Sequence, residues 1–384
     1  MLQRNHRARR RAARSRSVAR KAIMGALPLV LLLGWVEAVV RVGMASPDIP
    51  RLQDMHQGTT MASHPTRMWT LREDMTEQFG AATTVGANGL RAVETTGAPL
   101  RILTLGDSSI FGHALEDPDT LHVQLQKALK QRGVEADVLC GAIPGYSTEQ
   151  ALLLLEEIGW DLAPDLLVVG TLWSDNKVDR FVDAEWMALL NGPATPVDRF
   201  LSDHSHAWRH LRLALSPPPG ASRGADFSPV GWIQTPAPEA GRRRVSTTDY
   251  ASNLDRILLQ ASRRDVGVIM LQPVNPQRLQ RQVDRQPWRA YFEIQRGIAE
   301  RRGVPVVDAR DALQEAGLSV EEGFLDDLHP TGAANGAVAG ELARALVEAG
   351  WPGEGLQPNP DPPLYDRTLR DPWLEGTGGP AWRR

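Results

Sequence analysis

The sequence is short of cysteine throughout, of acid at its start and of base over the rest, and each shortage excludes something. The single Cys140 permits no intramolecular disulfide, and its place at the end of an apolar run reads as a buried, inert thiol. Residues 1–21 hold nine of the 43 Lys and Arg and no Asp or Glu, which leaves 34 basic against 46 acidic residues in the remainder. A body that acidic is a poor electrostatic partner for nucleic acid, so the basic run reads as a topology signal and not as a binding arm. A long apolar run clear of charge is also lacking. Residues 22–36 are uncharged, and the ~20 residues that span a bilayer are reached only by carrying the segment past Glu37 and Arg41. Those two stand one helical turn apart, so the extension requires them to pair or to snorkel at the far interface.

What is present begins with that N-terminus. A basic cytoplasmic segment over 1–21 followed by a signal anchor, a transmembrane helix over 22–43, predicts an N-in orientation with the body outside the cytoplasm. The competing reading is a cleaved signal peptide with Gly43-Met44-Ala45 as its small-residue site. Both export the body. Residues 44–98 are polar and turn-rich, with Pro47, Pro50, Pro65 and the Asn88-Gly89 turn signal, and read as a spacer that packs on the main domain.

From residue 99 to 350, short apolar runs alternate with longer segments of helical period. The runs lie at 102–105, 136–139, 166–169, 266–271 and 304–307, and the helical segments at 120–132, 148–159, 253–264, 289–302 and 332–348. Five such units predict a three-layer α/β/α, doubly wound parallel sheet covered on both faces. The third and fourth runs are separated by 173–265, too long for a structureless loop, so a partly helical insertion or lid is expected there. The tail 351–384 is rich in Pro and Gly and reads as irregular. No internal repeat is present.

In a doubly wound sheet, reactive groups belong at the carboxyl ends of strands. The first run ends in Gly106-Asp107-Ser108, which puts Ser108 at a strand-to-helix turn. The second leads into Gly145, whose N–H is open to a substrate oxygen, and the third into the polar cluster Ser174-Asp175-Asn176. After the fifth come Asp326 and His329, just ahead of the last helix. A serine needs a base to take its proton, and that base needs an acceptor to hold it, so Ser108, His329 and Asp326 form a candidate triad. The Ser108 N–H, the Gly145 N–H and a side chain at 174–176 are candidate oxyanion donors.

This order of blocks resembles the SGNH hydrolase superfamily, the GDSL-like esterases, over roughly residues 85–348. The resemblance rests on Gly106-Asp107-Ser108, Gly145 and Asp326-x-x-His329, followed by Pro330 and Thr331. It implies a flavodoxin-like SGNH fold, Ser108 as nucleophile and Gly145 as an oxyanion donor. The stretch Asn88-Gly89-Leu90-Arg91 and the N-terminal anchor look like a bacterial membrane-attached branch. One departure concerns the third block, which in the family is Gly-x-Asn-Asp. Here Ser174 takes the Asn place if Asp175 is the family's Asp, and Asn176 takes it after a short shift.

The remaining histidines and tryptophans read plainly. His113 and His122 are expected on the surface or in packing. His204, His206 and His210 have metal-compatible spacing without a framing Cys or carboxylate, and neither a metal nor a cofactor is expected. Trp173, Trp186 and Trp208 fall in or beside the insertion, where core packing competes with stacking on sugar rings. The expected activity is hydrolysis of a carboxylic ester through an acyl-enzyme. By resemblance the substrate is an O-acetyl group on a cell-envelope carbohydrate, with envelope lipid as a further ester partner. Transfer of the acyl group to a polysaccharide hydroxyl uses the same triad, and a non-catalytic binding module is the third reading.

Overall fold

The computed structural model describes residues 60–179 apart from 65, 87 and 92–94, residues 242–365 apart from 282–287 and 354, and parts of 25–44 and 182–215. Five strands form the central sheet: β1 (Leu100–Gly106), β2 (Ala136–Cys140), β3 (Leu166–Gly170), β4 (Gly267–Gln272) and β5 (Val306–Asp308). Their order is β5-β4-β3-β1-β2 and every pairing is parallel. All five residues of β3 and all six of β4 are buried, which is why both read as unbroken apolar runs.

The helices follow from right-handed crossovers. The step from β1 to β2 runs one way across the sheet, and the steps from β2 through β5 run the other. Helix α2 (Leu121–Gln131) therefore covers one face, while α3 (Thr148–Leu154), α5 (Thr247–Ser262) and α6 (Arg289–Arg302) cover the other. The packing agrees: α5 lies against α3 and α6, and α2 lies against α8 (Gly332–Glu348), beside α7 (Ala309–Glu315). Two very short helices, α1 (Ser108–Phe111) and α4 (Trp173–Asn176), follow β1 and β3 directly. The strand order reverses between β1 and β3, so the crevice at their carboxyl ends is where the fold leaves room for a ligand.

Close approach there depends on Gly106. A Cβ at this position would lie 2.5 Å from Ile110 and 3.1 Å from the Gly170 carbonyl. Ahead of β1, an antiparallel hairpin (Met61–His64 with Met68–Leu71) and a smaller one (Glu77–Gln78 with Ala81–Ala82) pack on the domain. Arg91 ties this region down: fully buried, it donates to the carbonyls of Phe111, Gly112 and Leu115 and pairs with Asp117 at 2.8 Å. At the other end, Arg302 pairs with Asp255 at 2.6 Å and donates to the carbonyls of Asn359 and Pro362. Residues 355–365 thus have no helix or strand, yet they are held against the domain.

The expected transmembrane helix over 22–43 lies partly outside the described residues, which omit 22–24, 26 and 29. Among the described residues, no helix is long and apolar enough to cross a membrane. Residues 30–43 are helical, Glu37 pairs with Arg41 at 2.6 Å as the extension requires, and Glu37 also caps another helix in the same unit. Its carboxylate accepts from the N–H of His206 at 2.8 Å, the N–H of Ala207 at 3.0 Å and the Ser205 hydroxyl at 2.7 Å. That helix, His206–Leu215, belongs to the 173–265 segment, of which 216–241 lie outside the described residues, as does Trp186.

Candidate active site

The turn after β1 is built by Asp107. Its Oδ1 accepts from the Ser109 N–H at 3.0 Å and hydroxyl at 2.7 Å, and its Oδ2 from the N–H groups of Trp173 at 3.0 Å and Ser174 at 3.3 Å. One buried carboxylate thereby caps α1 and joins the end of β1 to the end of β3. Burial raises its pKa, with the bonds from Ser109 and Ser174 acting against that. Ser108 opens α1, where its N–H has no acceptor within the helix.

Across the crevice, the loop ahead of α8 brings His329 to Ser108. Ser108 Oγ lies 2.8 Å from His329 Nε2, and His329 Nδ1 lies 2.7 Å from Asp326 Oδ2. The other Asp326 oxygen accepts from the backbone N–H groups of Leu328 and His329, each at 2.8 Å, so the acid fixes both the ring and the backbone that carries it. The His329 side chain is 2% exposed, whereas the Asp326 side chain is 42% exposed, so the chain of three side chains is open to solvent at Asp326. Partial burial works to raise Asp326, but the hydrogen bonds from the His329 ring and from the backbone N–H groups of His329 and Leu328 outweigh it and hold this carboxyl well below the usual range. An ionised Asp326 only accepts. Nδ1 therefore carries the proton, and Nε2 accepts from the serine hydroxyl.

His113, expected on the surface or in packing, lies parallel to the His329 ring, with centroids 4.0 Å apart and planes 21° apart, and Phe79 flanks its other side at 4.4 Å. Burial, then the neighbouring His329, push His113 down to about 3, so it is neutral at pH 7. Its position five residues after Ser108, one turn on, was the only sequence signal for this role. His122 is 0% exposed, and burial, then the neighbouring Arg91, push it down to about 3.

Gly145 lies in the turn after β2, at φ +79°, which an L side chain rarely adopts. The Ile143 N–H bonds the Gly106 carbonyl at 3.2 Å and holds this turn against the end of β1. In the third block the three residues separate. Ser174 is buried and tied through its N–H to Asp107. The Asp175 carboxyl accepts from Thr148 N–H at 2.9 Å and hydroxyl at 2.5 Å, and burial pushes it up to about 8. Asn176 is half-buried, and its backbone carbonyl accepts from Arg243. Trp173 is packed edge-on against Trp288 and Phe292, a core residue and not a sugar platform. Among the described residues no group of three His, Cys, Asp or Glu is placed to hold a metal; His204 instead stacks on Phe200, and the backbone N–H of His206 serves Glu37.

Residues 233–337 match the GDSL-like lipase/acylhydrolase family, a segment that includes Asp326 and His329 and leaves Ser108 outside it. No curated protein matches the chain. Among solved structures, similarity extends to an alpha/beta hydrolase from the metagenome of Lake Arreo, Spain, at 16% identity over 66% of this chain and 96% of that one, TM-score 0.42. A lipase/acylhydrolase from Enterococcus faecalis is similar at 15% identity over 69% and 100%, TM-score 0.41. A two-domain esterase active on acetylated mannans is similar at 15% identity over 69% and 53%, TM-score 0.40.

Proposed function

We propose that this chain, whose residues 233–337 match the GDSL-like lipase/acylhydrolase family, is a serine esterase with Ser108, His329 and Asp326 as its triad. The hydrogen-bonded chain from Ser108 Oγ through the imidazole to Asp326 carries the reading. His329 Nε2 takes the hydroxyl proton as Oγ attacks the ester carbonyl, and the same proton passes to the leaving alkoxide as the C–O bond breaks. Water then attacks the acyl-enzyme, giving its proton to Nε2, and Ser108 leaves with that proton as the acid is released. Asp326 stays ionised throughout and stabilises the imidazolium. The oxyanion is held by the N–H groups of Ser108 and Gly145. Of the two third-block candidates we favour Ser174, whose backbone N–H is tied to Asp107 beside the nucleophile.

We place the substrate as an O-acyl group, an acetyl by resemblance, on a cell-envelope carbohydrate; the exposed Asp326 is consistent with a site that a large alcohol reaches from solvent. The basic segment followed by an apolar one argues for a catalytic domain outside the cytoplasm. Protease digestion of spheroplasts, with the outer barrier opened and the inner membrane intact, that spares the domain would contradict that placement. The activity test is release of p-nitrophenol from acetyl and longer esters by the full chain, beside Ser108→Ala and His329→Ala. Loss of ~10³-fold or more in both is expected. Equal turnover in the wild type and Ser108→Ala would remove the esterase, and acyl transfer to added oligosaccharide in place of hydrolysis would make the protein a transferase.

A further inference from the structure

We infer that Trp69 and Arg244 are positioning residues for the oxyanion hole: they grip the two peptide units flanking Gly145 and fix where its N–H points. The inference rests on the reading of the Gly145 N–H as an oxyanion donor. A peptide unit is planar and trans, so the Pro144 carbonyl and the Gly145 N–H point in opposite directions from one rigid plane. Whatever holds the carbonyl aims the N–H. The Trp69 indole N–H donates to that carbonyl at 2.9 Å. The next carbonyl, of Gly145 itself, accepts from Arg244 Nη1 at 2.7 Å. Glycine at φ +79° has wide rotational freedom, and two gripped carbonyls remove it on both sides of the Cα.

Both grips are themselves immobilised. Arg244 is fully buried, paired through two nitrogens with buried Asp183 at 2.7 and 2.9 Å, and donates to Gln150 at 2.9 Å. Its guanidinium lies over the Trp69 ring, 5.4 Å from the centroid. Trp69 is 3% exposed, packs edge-on against Tyr146 at 5.9 Å and accepts the Tyr146 hydroxyl on its own carbonyl. The residue before it, Met68, sits at φ +67°, a strained conformation for an L side chain, with the Trp69 N–H turned back to the Arg67 carbonyl at 2.9 Å.

The two grips come from outside the strand-helix repeat. Trp69 is supplied by the N-terminal hairpin, and Arg244 by the strand Arg242–Arg243 that returns from the insertion and pairs with Val178–Asp179 beyond the third block. The hairpin and the insertion thereby reach the reacting carbonyl through backbone that neither of them contributes.

The test uses the full chain with Trp69→Phe, which keeps an aromatic ring, though a smaller one, and removes the N–H, and Arg244→Lys, which keeps the charge and loses the forked donor set. We expect kcat on p-nitrophenyl acetate to fall roughly 10- to 100-fold with KM changed less than about threefold, short of the ~10²–10³ for outright loss of a donor. Affinity for a boronic acid that forms a tetrahedral adduct on Ser108 falls by the same factor, because that adduct presents the oxyanion. Lowered thermal stability with kcat and boronate affinity within about twofold of wild type would overturn the inference. Should a substitution unfold the protein, wild-type NMR decides: boronate binding shifts the Gly145 amide and the Trp69 indole proton together, and an unmoved pair refutes the coupling. A wild type without Ser108-dependent turnover defeats the esterase reading itself and takes this inference with it.

Discussion

Replacing Asp107 by Asn exchanges one buried acceptor oxygen for an NH2 group at a point where four donors converge: two from Ser109, and the N–H groups of Trp173 and Ser174. With the new NH2 facing Trp173 and Ser174, two backbone N–H groups lose their acceptor. Facing Ser109 it donates to the hydroxyl and orphans only the Ser109 N–H, so this orientation is adopted. One buried unsatisfied donor costs about 1–3 kcal/mol. For a domain of this size that lowers Tm by about 2–12 °C. Because the lost bond caps α1, the segment that presents Ser108, activity falls as well, on the order of tenfold at a temperature where the variant is folded. Paired thermal melts and ester kinetics on Asp107→Asn check this. A Tm within a degree of wild type would refute the view that this carboxylate organises the turn.

Asp326→Asn is expected to reduce kcat/KM by ~10²–10⁴, since the amide both fails to stabilise the imidazolium and permits the wrong ring tautomer. In the wild type the carboxyl is held below the usual range, so a pH–rate profile shows no carboxylate inflection within that range, and finding one there would contradict the assignment. Asp175, pushed up to about 8 by burial, keeps its proton when folded while the unfolded chain releases it at about 4. That contribution is whole below pH ~4 and is lost as pH rises toward 8, so the Tm of Asp175→Asn gains on wild type across that window; parallel melting curves would disprove it. His113→Phe preserves the ring parallel to His329 and leaves kcat within about threefold, whereas His113→Ala exposes the imidazole face and lowers kcat further; the opposite ranking would show that the His113 nitrogens, and not its face, matter.

Much of the fold was legible because it depends on local pattern. Continuous apolar runs marked strands buried on both faces, and the periodicity at 289–302 and 332–348 matches α6 and α8 to the residue. The segment at 148–159 was read as one helix; it is α3 followed by a wider π turn over Leu155–Gly159, a change of hydrogen-bond step that leaves little trace in residue order. Within the apolar stretch at 22–43, hydropathy gives Glu37 no partner beyond Arg41, while the fold gives it Ser205, His206 and Ala207 from far along the chain.

The sequence by itself determined the order of strands and helices, the turn at Gly106-Asp107-Ser108, and an Asp and His three residues apart, since each is a short-range matter of spacing, propensity and side-chain type. Only the tertiary structure decided that Ser108 and His329, 221 positions apart, meet at 2.8 Å. It alone set His113 against the base, placed Asp175 with Thr148 away from the reacting oxygen, and brought Trp69 and Arg244 onto the carbonyls around Gly145. Those contacts arise from the crevice at the strand-order reversal, which gathers loops from distant segments, and no local periodicity records which loops will share it.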